Sequence, residues 1–228
     1  MRSGYAAAPR PSYRLIPSQF PPVALFEEVA RAEDLEPVME LAGWTNDRLV
    51  TERLHRLPRN EWVYGRANAS IVMAAFLHAA PHGARFNGPD LGAWYASASV
   101  ATAIFEVAHH LRREVVARRL QSFRRTFRCY SSRPEGTYRD LRGAQDRHPD
   151  LYAPDSHRAG QSFGEALRAA GADGIVYDSV RHRGGTNVCA YRPRKVLQVT
   201  QAAHYDIEIS AGDRQVRVKK RRLETDGA

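Results

Sequence analysis

The order of strand-like and helix-like segments constrains the fold of this chain more than any other feature of its sequence. Apolar residues recur at helical spacing over about 100–119, which predicts one long helix, and over 33–41, which predicts a short one. Runs typical of strands lie at 121–131, 174–177 and 187–191. Because the two kinds of element do not alternate regularly, a doubly wound parallel sheet is disfavoured. We predict an α+β fold, with a substantial sheet covered by a few helices.

Local signals predict where some of these elements begin. Ser99 and Asn68 each precede a segment with helical apolar spacing, and both are predicted N-caps. A further short helix is predicted after two prolines, where apolar residues recur at helical spacing: Leu25, Phe26 and Val29.

Composition divides the chain into three parts. Residues 1–12, with small residues and prolines, predict a flexible leader, and residues 211–228 predict a basic C-terminal tail. Residues 13–210 between them contain no internal repeat and are predicted to form a single domain. Cys129 and Cys189 lie in strand-like runs without CxxC spacing, so we expect reduced core thiols in a cytoplasmic protein.

The overall composition excludes several classes of protein. With 228 residues, of which 43% are hydrophobic and 26% charged, the chain can bury a core without disulfides. Its longest uncharged apolar stretches, 69–80 and 91–105, are shorter than the roughly 18 residues that a membrane-spanning helix needs. The first 14 residues lack the apolar core of a secretory signal. We therefore expect no membrane span and no secretion.

The net charge of +9 comes almost entirely from arginine, since only Lys195, Lys219 and Lys220 are lysines. Guanidinium groups bind carboxylates and phosphates through a planar fork, so the excess is compatible with a nucleotide, a nucleic acid or an acidic protein partner. A GC-rich genome that encodes arginine in place of lysine explains it equally well.

Three polar residues occupy positions that a purely structural account does not explain. Arg85 lies in a glycine-containing loop, Tyr95 in the short strand that follows, and Glu106 on the long helix close to its apolar stripe. An unpaired buried carboxylate is costly, so Glu106 either pairs with a guanidinium such as Arg85 or lines a polar cleft. An ordinary ion pair at the edge of the helix is the structural alternative.

The spacing and surroundings of these residues resemble the RES domain, the toxin component of many bacterial toxin–antitoxin pairs. The resemblance extends over about residues 13–200. It rests on separated blocks in the family's order: Tyr13–Pro17, Gly83–Asn87, Leu91–Ser97, Thr102–Glu106, Gly174–Arg181 and Gly184-Gly185.

The resemblance implies an ADP-ribosyltransferase-like mixed sheet core with flanking helices, and the destruction of NAD⁺ by hydrolysis or phosphorolysis of its nicotinamide–ribose bond. Glu106 would stabilise the ribose cation that forms as this bond breaks. Arg85 would hold the pyrophosphate, and the face of Tyr95 would stack on the cationic nicotinamide. Ser179 would bind the ribose or position Glu106. Further nucleotide contacts are expected from three residues: Arg14, Asn87 and Arg181.

The resemblance also implies an antitoxin partner with an Xre-like helix-turn-helix region that blocks the active site, and an oligomer within that complex is compatible with it. We expect no metal site, because the histidines lack ligand spacing, and no cofactor apart from NAD⁺ as substrate. Two alternatives remain open. One is an ADP-ribosyltransferase that modifies a macromolecule, and the other is a non-catalytic nucleic-acid-binding protein that uses the arginine clusters. The sequence leaves open whether water or phosphate accepts the ribosyl group.

Overall fold

A computed structural model describes residues 4–19, 24–41, 48–213 and 215–221 of the chain. Its strands are β1 (Tyr5–Ala6), β2 (Ser12–Pro17), β3 (Trp94–Ser97), β4 (Ser122–Pro134), β5 (Tyr138–Asp140), β6 (Gly174–Asp178), β7 (Thr186–Ala190), β8 (Val196–Ser210) and β9 (Val216–Arg221). Its α-helices are α1 (Leu35–Leu41), α2 (Arg48–Arg56), α3 (Ala69–Leu77), α4 (Val100–Ala117) and α5 (Arg158–Ala169).

In the described part of the chain, the strands form one nine-stranded sheet in the order β1-β5-β6-β7-β3-β2-β4-β8-β9. The β5–β6 pair is parallel and the other pairs are antiparallel. The predicted α+β class, with a mixed sheet core and flanking helices, is confirmed. No helix in the described ranges is long and apolar enough to cross a membrane.

Helices cover both faces of this sheet, and alternation along the strands decides which residues face which helices. In β3, Trp94 and Ala96 are buried among α1, α2 and α3, whereas Tyr95 lies in the cluster covered by α5. α4 covers the same face as α5 further along, over β2, β4 and β8. We call the face beneath α4 and α5 the front face, and the face beneath α1, α2 and α3 the back face.

Both cysteines are buried and unpaired, as predicted.

One of the two predicted N-caps is confirmed. The Ser99 hydroxyl accepts a hydrogen bond from the backbone N–H of Thr102 (3.1 Å), and α4 begins at the next residue. Asn68 also precedes its helix, but its φ is 59° and its side chain makes no cap. Its amide donates instead to the carbonyl of Val199 on β8 (2.8 Å), so a tertiary hydrogen bond has replaced the local one.

The helix predicted around Leu25, Phe26 and Val29 is wrong, because the described residues 24–31 contain no helical turn. The backbone N–H groups of Leu25 and Phe26 donate to the hydroxyl of Ser70 on α3 (2.8 and 2.9 Å), which satisfies them without a helix. The apolar spacing in this segment serves core burial, since Phe26 and Val29 are buried on the back face.

The two ends of the chain also differ from their predictions wherever the structure describes them. Within the predicted flexible leader, β1 pairs with β5 and Ala8 is buried. Within the predicted basic tail, β9 pairs with β8 along its length, and Arg221 forms an ion pair with Asp206 (2.6 Å). Backbone pairing with a distant strand accounts for both differences, and composition carries no signal for it.

Candidate active site

The carboxylate of Glu106, on α4, lies above the front face of three neighbouring strands. The register places Ser97 of β3 opposite Asn187 of β7, and Asn187 opposite Tyr177 of β6. These three side chains therefore form a row across the front face of the sheet. Glu106 meets this row from α4. We call the group around it, defined by Glu106, Ser179, Asn187, Tyr177, Arg85 and Arg181, the Glu106 site.

The two carboxylate oxygens of Glu106 have different surroundings. Oε1 accepts hydrogen bonds from the Ser179 hydroxyl and the Asn187 side-chain amide, both at 2.6 Å. Oε2 accepts none from any residue that the structure describes, and the side chain is only partly buried. No ion pair joins Glu106 to Arg85 within the described ranges. Of the two arrangements that the sequence left open, the structure shows the carboxylate lining a polar site.

Ser179 is positioned by the turn that follows β6. Its hydroxyl oxygen accepts hydrogen bonds from the backbone N–H groups of Arg181 (3.1 Å) and His182 (2.9 Å). With both of these on the oxygen, the single hydroxyl proton is directed at Glu106. Ser179 is 8% exposed, so this arrangement is shielded from competing water.

Arg85 is buried and is held by backbone groups alone. Its Nη1 donates to the carbonyl oxygens of Leu151 (2.9 Å) and Ala153 (3.0 Å), and its Nε and Nη2 donate to no described residue. The guanidinium is not paired with a described carboxylate, and it has donors to spare for an anion. Its acceptor Ala153 is next to Pro154, whose carbonyl accepts from Arg181, so Arg85 lies beside the Glu106 site.

Glycines on α5 bring this helix close to the loop that carries Arg85. A Cβ at Gly160 would overlap the carbonyl oxygen of Arg85, and one at Gly164 would overlap that of Phe86. The carbonyl of Phe86 is also the acceptor for the hydroxyl of Tyr191 (2.9 Å). Residues without side chains are therefore required at these two helix positions, and the close packing fixes the loop.

Arg181 brings a second guanidinium to the site. Its Nη2 donates to the carbonyl of Pro154 (2.7 Å), in the same segment whose carbonyls hold Arg85. Burial lowers the pKa of Arg181, and the positive charge of Arg85 lowers it further, while Glu106 opposes the change. Two neighbouring guanidiniums next to one carboxylate form a region where an anionic group is favoured.

The sequence missed Asn187, Ser97 and Tyr177. Tyr177 is buried opposite Asn187, and its pKa is raised well above the ordinary value by burial and then by the negative charge of Glu106. The signal that could have found them is a polar residue on the inward face of a short apolar strand. That signal becomes useful only once the pairing of the three strands is known.

Tyr95 and Asn87 are coupled to each other in the loop before β3. The Tyr95 hydroxyl donates to the side-chain oxygen of Asn87 (2.8 Å) and accepts from the backbone N–H of Phe86 (2.9 Å). The Asn87 amide donates to the carbonyls of Gly88 (2.7 Å) and Leu91 (3.2 Å). Asn87 is 2% exposed and its polar atoms are engaged within the loop, so in the described structure it supports the loop, and its nucleotide contact stays a prediction. For Tyr95, the hydroxyl is engaged in the same way, and the ring face is what remains for stacking.

Arg14 is placed away from the Glu106 site, on the back face of the sheet. It lies opposite Tyr130 in the β2–β4 strand pair. Its guanidinium carbon is 5.0 Å from the ring centroid of Trp94, and its Nη1 donates to the backbone carbonyl of Tyr95 (3.1 Å). Burial lowers its pKa to about 10. The structure does not bring Arg14 to the Glu106 site, and its nucleotide contact stays a prediction. Alternation along β2 directs Arg14 opposite to Leu15, which packs beneath α4.

Histidines surround the site without forming a metal centre. Burial and the positive charge of neighbouring arginines lower the pKa values of His109, His110 and His157, that of His109 to about 4. Across the described residues, no group of three or more histidine, cysteine, aspartate or glutamate side chains is arranged to hold a metal ion.

Comparison with known proteins identifies the family. Residues 53–210 match the family model of the RES domain. The uncharacterized protein y4oC of Sinorhizobium fredii (strain NBRC 101917 / NGR234) is 28% identical over 199 residues, which cover 85% of this chain and 80% of that protein. Among solved structures, the M. tuberculosis MbcT–MbcA toxin–antitoxin complex matches with a TM-score of 0.42 and 19% identity, over 58% of this chain and 74% of that chain. The family model spans well over half of the sequence, including every residue of the Glu106 site, and the chain belongs to the RES domain family.

Proposed function

We propose that this RES-domain protein is the toxin of a toxin–antitoxin pair, and that it cleaves the bond between nicotinamide and ribose in NAD⁺. One observation carries the proposal: the Glu106 carboxylate has one oxygen fixed by Ser179 and Asn187 and the other free of described donors, next to two guanidiniums. This combination suits a substrate that carries a diphosphate and develops positive charge at a neighbouring sugar.

The reaction needs a carboxylate at the ribose. As the C–N bond breaks, nicotinamide leaves with the bonding electron pair and the anomeric carbon becomes an oxocarbenium-like cation. A negative oxygen aimed at this carbon stabilises the cation more than it stabilises the substrate, which lowers the barrier. Glu106 Oε2 is the candidate for that oxygen. Because Oε1 is already held by two donors, the carboxylate has little reorganisation to undergo during the reaction.

The substrate also needs a site for its diphosphate and its pyridinium ring. Arg85 and Arg181 retain donors around the Glu106 site, and guanidinium forks bind phosphate oxygens in pairs. The ring of Tyr95 lies on the same face of the sheet and is the candidate for stacking on nicotinamide.

An acceptor oxygen completes the reaction. Water or phosphate bonds to the anomeric carbon and loses a proton, and the products are nicotinamide with ADP-ribose or with its phosphate ester. Both acceptors require the same stabilised cation, so the arrangement of Glu106 supports either. Membership of the RES family supports a cognate antitoxin, which we propose carries an Xre-like helix-turn-helix region.

The test is to incubate the purified protein with NAD⁺ labelled in its ADP-ribose part and to identify the products. We expect free nicotinamide together with labelled ADP-ribose or its phosphate. Label attached to added protein or nucleic acid would show a transferase instead. NAD⁺ that remains intact in the presence of phosphate would overturn the proposed activity.

A further inference from the structure

We infer that Asn187 is a positioning residue for Glu106, and that Ser97 holds the Asn187 side chain from its other end. The inference rests on the proposed function, because it assigns a role in the same site. It adds two residues to the site, and neither touches the substrate in this account. They act through the carboxylate.

The three side chains form a continuous chain of hydrogen bonds. The Ser97 hydroxyl donates to Asn187 Oδ1 at 2.7 Å, and Asn187 Nδ2 donates to Glu106 Oε1 at 2.6 Å. Ser97 and Asn187 face each other across the β3–β7 pair, and each is 3% exposed. The backbone register of two strands thus holds both residues where water does not compete.

The chemistry of the groups permits only one orientation of the amide. An ionised carboxylate accepts hydrogen bonds and cannot donate them, so the amide nitrogen must face Glu106. The amide oxygen then faces Ser97, which supplies a proton to it. A flipped amide would place its oxygen against a carboxylate oxygen, with no proton between them. Glu106 therefore fixes the orientation of the amide, and the Ser97 hydroxyl supplies a matching donor to the amide oxygen.

The position of Asn187 also decides which carboxylate oxygen is free. Together with Ser179, it places both donors on Oε1 and leaves Oε2 without a described partner. A glutamate side chain has several rotatable bonds, and two short hydrogen bonds on one oxygen restrict them. Loss of Asn187 should therefore slow the chemical step and leave substrate binding nearly unchanged.

A second cross-strand pair provides a matched control. Ser12 and Ser132 face each other across β2 and β4, are fully buried, and join their hydroxyls at 2.9 Å. This pair contacts no carboxylate in the described structure. If polar pairs between strands served only to hold the sheet together, the variants Ser132→Ala and Asn187→Ala would alter turnover alike.

The experiment measures nicotinamide release by Asn187→Ala, Ser97→Ala, the double variant and Ser132→Ala. Hydrogen bonds to charged groups predict a fall in kcat of about 10- to 100-fold for Asn187→Ala, with KM changed by less than about 3-fold. Because Ser97 acts through Asn187, its variant should lose about 3- to 10-fold, and the double variant should be no slower than Asn187→Ala. Ser132→Ala should keep wild-type turnover. A double variant whose loss is the sum of the two single losses would overturn the inference. An unchanged kcat in Asn187→Ala would also overturn it, and in both cases an active wild type would leave the proposed function standing.

A substrate-free measurement decides the inference even if the wild-type protein leaves NAD⁺ intact. The side-chain amide protons of Asn187 are followed by NMR as pH is lowered, in the wild type and in Glu106→Gln. We expect a pH-dependent movement of this resonance in the wild type that is larger than in Glu106→Gln, where the neighbouring His109 and His110 still contribute. The same movement in both proteins, or none in either, would show that Asn187 does not hold Glu106.

Discussion

The two carboxylate oxygens of Glu106 differ in their hydrogen bonding. Ser179 and Asn187 occupy Oε1, while Oε2 accepts no hydrogen bond from the described residues. A helix-edge glutamate in an ordinary ion pair would place a guanidinium on these oxygens. Here Arg85 donates to backbone carbonyls instead, and Glu106 stays available. This division of roles between two oxygens is the residue-scale basis of the proposed activity.

Two arginines that the sequence treats alike should behave differently on substitution. Arg181 lies at the Glu106 site, so Arg181→Ala should raise KM for NAD⁺ by about 10- to 100-fold, through loss of a charged hydrogen-bond donor. Arg14 lies on the back face, so Arg14→Ala should lower the free energy of unfolding by about 1–3 kcal/mol and leave KM unchanged. Steady-state kinetics and urea unfolding measure the two effects. A large rise in KM for Arg14→Ala would contradict the placement on the back face.

His109 should make the protein less stable in acid. Burial, and then the charge of Arg181, lowers its pKa from 6.5 to about 4, so the unfolded chain binds more protons than the folded one between these values. The free energy of unfolding therefore falls as pH decreases from about 6.5 towards 4. His109→Asn should show a smaller fall, while His110 and His157 retain part of it. Urea unfolding across this pH range tests the prediction, and parallel curves for the variant and the wild type would refute it.

At the scale of elements, the contact between α5 and the loop before β3 positions Arg85. Gly164 lets the helix approach the carbonyl of Phe86, and a Cβ there would meet this oxygen and the hydroxyl of Tyr191. Gly164→Ala should therefore lower the free energy of unfolding by about 1–3 kcal/mol, despite the better helix propensity of alanine. Turnover should fall as well, because the loop shifts with Arg85.

Gly212→Ala is the control for this substitution. A Cβ at Gly212 has no described neighbour within 4 Å, so the change should leave both thermal stability and turnover as in the wild type. Thermal unfolding and nicotinamide release measure the pair. A Gly164→Ala protein as stable and active as Gly212→Ala would show that the close approach does not matter.

Elements with strong local signals could be predicted from the sequence. The long helix α4, its Ser99 cap and the strand β6 follow from apolar periodicity and capping chemistry. The local predictions that are wrong share one physical cause: hydrogen-bond partners far away in the sequence replace the local ones. The side-chain amide of Asn68 donates to a carbonyl on β8, and the backbone N–H groups of Leu25 and Phe26 donate to a serine hydroxyl on α3. These tertiary hydrogen bonds replace the local ones that the sequence pattern predicts.

At the scale of the whole molecule, the sheet decides which predicted residues meet. The resemblance to the RES family predicts Glu106, Arg85 and Ser179 in one site, and the structure brings them together. Arg14 was predicted with them, but the sheet places it on the opposite face. Asn187 could not be predicted at all, because its role depends on the pairing of strands that lie far apart in the chain. The family's motifs thus predict the residues expected to act on the substrate. The residues that hold them in place depend on nonlocal strand pairing.

The central claim is that Glu106 stabilises the ribose cation formed when NAD⁺ loses nicotinamide. It is tested most directly by measuring kcat for nicotinamide release in the wild type and in Glu106→Gln, which keeps the size of the side chain and removes its charge. The account predicts an active wild type and a fall in kcat of about 100- to 1,000-fold in the variant, with an unchanged melting temperature. A Glu106→Gln protein that releases nicotinamide at the wild-type rate would contradict it.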